Sequence, residues 1–184
     1  MSIKPCNVVN RLMKNFNKCW AIAGGWSIDM FIGKVTRHHD DIEIIVFRQD
    51  QLSVQMHLAG WIFKKVENGI VSPWNIGEML LPPVHETYAE KDGEKIEILL
   101  NESDGDHWVY RRDARITREF KKTILFSSQG IPFLCPEITL LYKSKNPRLK
   151  DTNDFYNTFN HMGSDQKNWF SESLRILYKE HTWL

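Results

Sequence analysis

The sequence predicts an α+β fold with a mixed sheet and a small C-terminal helical region. An apolar run at residues 19–23 leads into a double glycine, and a second apolar run follows at residues 42–47, as in a strand–loop–helix–strand unit. Residues 86–100 are predicted to form a hairpin, because an Asp-Gly pair that is typical of a turn separates two strand-like segments. After Pro136, which suits the first turn of a helix, apolar residues recur at helical spacing.

The domain organisation follows from the same three observations. We expect a core over residues 1–130, with its helices packed on one side of the sheet. Residues 131–184 should form a helical region on that core, so that the chain is a single compact unit. A length of 184 residues is enough for one well-buried domain of this kind.

The remaining elements follow from hydrophobic periodicity and from turn signals. Residues 101–118 are polar and are predicted to be irregular. The second predicted helix starts at a capping Ser27 and ends at Gly33. The other predicted elements are a helix at 5–16, a helix at 49–58, strands at 61–65 and 123–126, and helices at 136–142, 151–161 and 165–179, the last capped by Ser164.

Composition excludes several functional classes. The formal net charge of +1 gives no basic surplus for bulk nucleic-acid binding, so any phosphate should be bound locally. Cys6, Cys19 and Cys135 lack the C-x-x-C spacing of a zinc site and do not form a disulfide framework, which fits a reducing cytoplasm. Apolar runs are too short for a membrane span, and the first residues lack the core of a signal peptide. We therefore expect a cytoplasmic protein.

Three carboxylates are the candidate chemistry of the chain. Asp41 and Glu43 are two residues apart, so they leave the same face of the predicted strand. Glu97 interrupts a second apolar strand in the same way. Exposed acids are the rule on protein surfaces, but an unpaired carboxylate in a central strand is costly. If the two strands are neighbours, three acids converge and require a cation, which suits Mg²⁺ and a nucleoside triphosphate.

Two motifs resemble a known family. GGWS at residues 24–27 followed by TRHHDDIEI at residues 36–44 resembles the nucleotidyltransferase superfamily of the polymerase-beta type. Within it, the motifs are most similar to the aminoglycoside 2''-adenylyltransferase-like group, with lincosamide nucleotidyltransferases nearby. Segments at 99–113 and 136–145 extend the resemblance over nearly the whole chain. One position departs from the pattern, because Glu43 stands where antibiotic-modifying relatives usually carry Asp.

The resemblance implies a nucleotidyltransferase-type core and a magnesium-dependent enzyme. Such an enzyme moves a nucleoside monophosphate from a triphosphate, such as ATP, onto a hydroxyl of a small molecule, here an aminoglycoside or a lincosamide antibiotic. Asp41 and Glu43 would hold Mg²⁺, with two ions when nucleotide is bound, and Glu97 would be a third ligand or the base. The acceptor would make this an antibiotic-resistance enzyme.

Five residues are candidates for binding the nucleotide. Gly24, Gly25 and Ser27 would receive the triphosphate through backbone N–H groups and a hydroxyl. Arg37 would contact phosphate or brace the glycine loop, with a structural salt bridge as the alternative. By resemblance Lys143 would contact the triphosphate; otherwise it belongs to a solvated helix end.

The acceptor side is less defined by the sequence. A cationic aminoglycoside requires an acidic pocket, whereas Arg111 and Arg112 would meet phosphate or an acidic substrate, or else pair with Asp113 at the surface. His39 is expected to anchor a loop through hydrogen bonds rather than to bind metal. The acids available for a pocket are Glu78, Glu86, Glu102, Asp104 and Asp106, and the aromatic candidates are Trp26, Trp74 and Trp108.

Two other functions keep the same fold. The chain could bind nucleotide with little turnover, as an antitoxin or a regulatory module, and the change to Glu43 is compatible with that. It could also transfer the nucleotide onto a protein hydroxyl. A protein partner therefore stays open at this point.

Overall fold

The computed structural model describes residues 3–184, which form a mixed sheet with helices on both faces. The strands are β1 (Trp20–Ile22), β2 (Glu43–Phe47), β3 (Ile62–Glu67), β4 (Ile70–Pro73), β5 (Glu86–Lys91), β6 (Glu94–Asp104), β7 (His107–Val109), β8 (Thr117–Glu119), β9 (Ile124–Phe126) and β10 (Pro132–Leu134). The helices are α1 (Lys4–Leu12), α2 (Gly24–Ile32), α3 (Gln51–His57), α4 (Pro136–Lys143), α5 (Leu149–Phe159) and α6 (Ser164–Leu177).

The sheet confirms the predicted α+β class. Its strand order is β4-β3-β5-β6-β2-β1-β10-β9, and β7 and β8 continue from β6. The pairs β2–β6 and β1–β10 are parallel, while the other pairs are antiparallel. Strand β2 therefore lies in the middle of the sheet, which explains why its sequence is almost uniformly apolar.

The helices occupy both faces of the sheet, whereas the sequence predicted that they pack on one face. Side chains alternate along β2, so Ile44 and Val46 join the apolar cluster beneath α1 and α3. Ile45 and Phe47 join a second cluster, which α4, α5 and α6 cover. Since both faces of β2 are apolar, both need a covering layer.

The prediction that the segment 101–118 is irregular is wrong, because this segment contains the end of β6, all of β7 and the start of β8. Strand β6 runs on to Asp104, and the chain turns back at Gly105, where φ is +54°, into β7. Two residues of this mostly polar segment belong to the core: Trp108 and Tyr110 are completely buried in the second cluster. Polar residues in short strands carry little periodic signal, which is why the sequence did not reveal this hairpin.

Helix starts and ends also differ from the prediction. Helix α2 begins at Gly24, with Ala23 as the residue before it, so Ser27 lies inside the first turn and does not cap the helix. At α6 the capping position belongs to Gly163, whose N–H donates to the Gln166 side chain. Helix α1 ends at Leu12, four residues earlier than the periodicity suggests.

The division of the chain at residue 130 stays a prediction. Strand β10, which follows that position, pairs with both β1 and β9 and so belongs to the sheet. Within the described range, no helix combines the length and the apolar character needed to cross a membrane.

Candidate active site

The three predicted acids come together at the ends of two neighbouring strands. Glu43 is the first residue of β2, and its register partner on the parallel strand β6 is Glu97. Neighbouring strands are about 4.8 Å apart, so the two side chains leave the same face side by side. Asp41 lies just before β2, and all three acids line one cavity of about 440 Å³. The condition stated for the convergence of the acids is therefore met, because β2 and β6 are neighbouring strands.

Burial and neighbouring negative charges raise the pKa values of Glu43 and Glu97. Burial, and then the negative charge of Glu43, raises the pKa of Glu97 to about 8. Burial, and then the charge of Asp41, raises the pKa of Glu43. Among residues 3–184 no side chain lies within ion-pair or hydrogen-bond distance of these three carboxylates. Within the part of the chain that the structure describes, the three acids therefore have no counter-ion of the protein in direct contact with them.

The chemistry of these donors fits a hard divalent cation. Carboxylate oxygens are the ligands that Mg²⁺ prefers, and a cation would remove the repulsion that keeps the acids apart. As placed, no three His, Cys, Asp or Glu side chains within residues 3–184 are close enough to hold a metal. Metal binding would require the carboxylates to move together.

The double glycine is required by the close approach of three side chains. A Cβ on Gly24, where φ is +57°, would lie 1.3 Å from Glu43 Oε2. A Cβ on Gly25 would lie 2.4 Å from the ring of His39 and 2.5 Å from Arg37 Nη2. Any larger residue would push the acid, the imidazole or the guanidinium away.

The same glycines open helix α2. Gly24 and Gly25 line the cavity, and the first N–H groups of a helix have no partner within the helix. Such a terminus is suited to a phosphate group. Ser27 does not share this position: it is completely buried, its hydroxyl donates to the Gly24 carbonyl at 2.8 Å, and it contacts Thr139 Oγ1 at 2.8 Å. The structure does not support a contact between Ser27 and the nucleotide.

A buried hydrogen bond between His39 and Asp29 anchors the loop between α2 and β2. His39 Nε2 lies 2.5 Å from Asp29 Oδ2, and Asp29 Oδ1 accepts from the N–H and hydroxyl of Thr36. The imidazole packs on Trp26, whose indole N–H donates to the Asp41 carbonyl at 2.9 Å. These contacts agree with the anchoring role predicted for His39, and they fix the backbone that carries Asp41.

A second charged cluster joins Arg37 and Lys143 to acids of helix α5. Arg37 donates from Nε and Nη2 to the two oxygens of Asp154 on α5, at 3.1 and 3.0 Å. Lys143 Nζ lies 2.9 Å from Asp151 Oδ1 and 3.1 Å from Asp154 Oδ2. Arg148 adds a further pair with Asp151. The two basic residues predicted to bind nucleotide are thus paired with acids of the protein, although both also line the cavity.

Several site residues carried no signal in the sequence. Asp151 and Asp154 are spaced i, i+3 in a polar helix, which looks like an ordinary solvated face. Thr139 and Tyr142 of α4 also line the cavity, although the sequence pattern predicts core positions for them. Only the burial of both aspartates, at 3% and 1% exposure, distinguishes them.

The other side of the cavity is basic rather than acidic. Glu86 lines it, together with His85, Arg111 and Arg112. Two of the predicted tryptophans, Trp74 and Trp108, are core residues, whereas Trp26 does line the cavity. The remaining predicted acids, Glu78, Glu102, Asp104 and Asp106, do not line it.

Solved structures share this fold. A crystal structure of ANT(2'')-Ia with adenylyl-2''-tobramycin has a TM-score of 0.63 at 14% identity, covering 95% of this chain and 99% of that one. The lincomycin-bound lincosamide adenylyltransferase LnuA has a TM-score of 0.59 at 18% identity, with 88% and 99% covered. A putative nucleotidyltransferase from Thermotoga maritima has a TM-score of 0.52 at 18% identity, with 86% and 94% covered. No curated protein sequence matches the chain significantly.

The family follows from the sequence itself. The profile described as aminoglycoside-2''-adenylyltransferase matches residues 6–158, from α1 almost to the end of α5. That range contains the glycine pair, the three acids and both aspartates of α5. This chain therefore belongs to the aminoglycoside-2''-adenylyltransferase family of nucleotidyltransferases.

Proposed function

We propose that this enzyme uses Mg²⁺ to transfer a nucleoside monophosphate from a triphosphate, with ATP as the first candidate, onto a hydroxyl of a small molecule. The observation that carries the proposal is the set of three carboxylates without a counter-ion beside the start of α2. The acids suit a metal ion, and the helix start suits the phosphates that the metal ion would bridge.

Asp41 and Glu43 would hold Mg²⁺, which when bound neutralises charge on the triphosphate. The acceptor oxygen forms a bond to the α-phosphorus, the bond to the pyrophosphate breaks, and pyrophosphate leaves. Glu97 is the candidate for accepting the hydroxyl proton, because it is the register partner of Glu43 and lines the same cavity. Positioning and charge neutralisation would supply most of the rate enhancement.

The contacts of Arg37 and Lys143 favour a bracing role. Arg37 holds α5 against the loop that follows α2 through Asp154, which agrees with the structural salt bridge predicted as an alternative. Lys143 holds α5 against α4 through Asp151 and Asp154. A phosphate contact by either residue would require it to share its charge with the acids of α5. Cys6, Cys19 and Cys135 are free thiols, which supports the proposal that the enzyme works in the cytoplasm.

The test is release of pyrophosphate and formation of labelled product from α-labelled ATP with Mg²⁺. The acceptors are water and a panel of hydroxyl compounds that includes aminoglycosides and lincomycin. We expect Asp41→Asn, Glu43→Gln and Glu97→Gln each to lose about 100-fold or more in rate. Glu94→Gln is the matched control, since Glu94 lies on the same strand, is exposed and does not line the cavity. Equal rates in the three variants and the wild type would exclude this site.

A further inference from the structure

The β6 side of the cavity carries an arginine without a counter-ion. Arg111 follows β7, which pairs with β6, and so lies away from the glycine pair beside β1. Its guanidinium lies 5.4 Å from the ring centroid of Tyr142 and is half-buried. Within residues 3–184 no carboxylate is at ion-pair distance from it. Arg112, by contrast, donates to the Tyr142 carbonyl at 2.9 Å.

A half-buried guanidinium is costly to leave without an acceptor. Burial lowers the pKa of Arg111, although arginine keeps its charge at any physiological pH. The acid beside it, Glu86, already accepts a hydrogen bond from the Tyr88 hydroxyl. Burial, and then the charge of Arg111, also lowers the pKa of His85. This side of the cavity therefore offers a positive charge to whatever enters.

Four of the five acids predicted for an acidic acceptor pocket do not line the cavity. Glu78 pairs with Lys65, and Glu102 forms a bidentate pair with Arg48. Asp104 and Asp106 flank the exposed turn between β6 and β7. Beside Glu86, a molecule with several ammonium groups would also meet the positive charges of Arg111 and Arg112, which would repel it.

We propose that the acceptor carries an anionic group, a carboxylate or a phosphate, which Arg111 binds while the acceptor hydroxyl faces Glu97. The planar fork of arginine matches both groups in a bidentate geometry. This inference rests on the proposed function, because it places the acceptor on the β6 side of the three acids and the triphosphate on the β1 side.

The test is calorimetric titration of small probes that differ mainly in charge. The probes are glucose, glucosamine, glucuronate, glucose 6-phosphate and tobramycin, each with and without Mg²⁺ and a non-hydrolysable ATP analogue. We expect the two anions to bind at least about tenfold more tightly than glucose, and Arg111→Gln to remove that preference. The ratio of glucuronate to glucose 6-phosphate affinity shows which anion is favoured. Arg175→Gln, on an exposed position of α6, should change nothing.

The variant Arg111→Glu distinguishes a change in ligand preference from simple misfolding. It should reverse the order and favour glucosamine over glucuronate, a gain that an unfolded variant cannot show. Anions that bind no more tightly than glucose, or tobramycin that binds more tightly, would overturn the inference. A loss of affinity for the ATP analogue in Arg111→Gln would assign the residue to the nucleotide. Failure of the proposed function appears separately, as absent binding of the ATP analogue to the wild type.

Discussion

Two acidic clusters lie at the same cavity, which Asp151 of one cluster and all three acids of the other line, and they differ in whether the protein pairs their charge. Asp151 and its neighbour Asp154 on α5 are paired with basic side chains of the protein, whereas Glu43 and Glu97 have no such partner. The pKa values differ accordingly. Although burial opposes ionisation, hydrogen bonds from Arg148 and Lys143 lower the pKa of Asp151, while burial and like charges raise that of Glu97.

The presence or absence of a basic partner distinguishes acids that stabilise the fold from acids that are available to bind a ligand. A buried carboxylate that the protein pairs contributes to the native state, and its removal leaves cations uncompensated. A buried carboxylate beside other carboxylates makes the native state less stable unless a cation binds. Sequence alone does not distinguish the two groups, since Asp151 and Asp154 lie three positions apart and Asp41 and Glu43 lie two positions apart.

The largest expected effect comes from breaking the α5 cluster. Asp154→Asn leaves Arg37 and Lys143 with too little negative charge, so we expect the free energy of unfolding to fall by about 2–4 kcal/mol. Glu97→Gln should keep or increase that free energy in buffer without divalent cations, because it relieves repulsion. Urea denaturation in EDTA measures both. A comparable loss in both variants would mean that the two clusters play the same role.

The pH dependence of stability sharpens the comparison. Between about 4.5 and about 8 the unfolded chain has lost the Glu97 proton, while the native carboxyl keeps it. The unfolded state then binds fewer protons, so the free energy of unfolding falls as pH rises through this range. Asp151, with its lowered pKa, contributes stability that is lost only in more acidic solution.

Denaturation at several pH values in EDTA checks this prediction. The wild type should lose stability from pH 5 to pH 8, and Glu97→Gln should show a smaller loss. Glu94→Gln serves as the control for an exposed acid on the same strand. Parallel curves for the wild type and Glu97→Gln would contradict the raised pKa.

The smallest effect concerns Ser27. Ser27→Ala removes the hydrogen bonds to Gly24 and Thr139, for a cost of about 1–2 kcal/mol in unfolding free energy. Because the hydroxyl is buried away from the cavity, the rate per folded molecule should stay within about twofold of the wild type. A large drop in kcat with unchanged stability would restore Ser27 to the nucleotide site.

The sequence predicted the parts of the site that alternate along strands. Glu43 and Glu97 interrupt apolar runs, and the fixed geometry of paired strands places them side by side, while Asp41 lies just before β2. The pairing of Arg37 with Asp154 on α5 could not be predicted, because it joins residues 117 positions apart through helix packing. Gly24 and Gly25 were predicted as a phosphate loop, while their close approach to Glu43, His39 and Arg37 required coordinates.

Binding of Mn²⁺, as a spectroscopic substitute for Mg²⁺, tests the central claim most directly. Titrations with a non-hydrolysable triphosphate should show Mn²⁺ bound to the wild type and to Glu94→Gln, and affinity at least about tenfold weaker in Asp41→Asn and Glu43→Gln. Equal Mn²⁺ affinity in all four proteins would contradict the claim that these carboxylates await a metal ion.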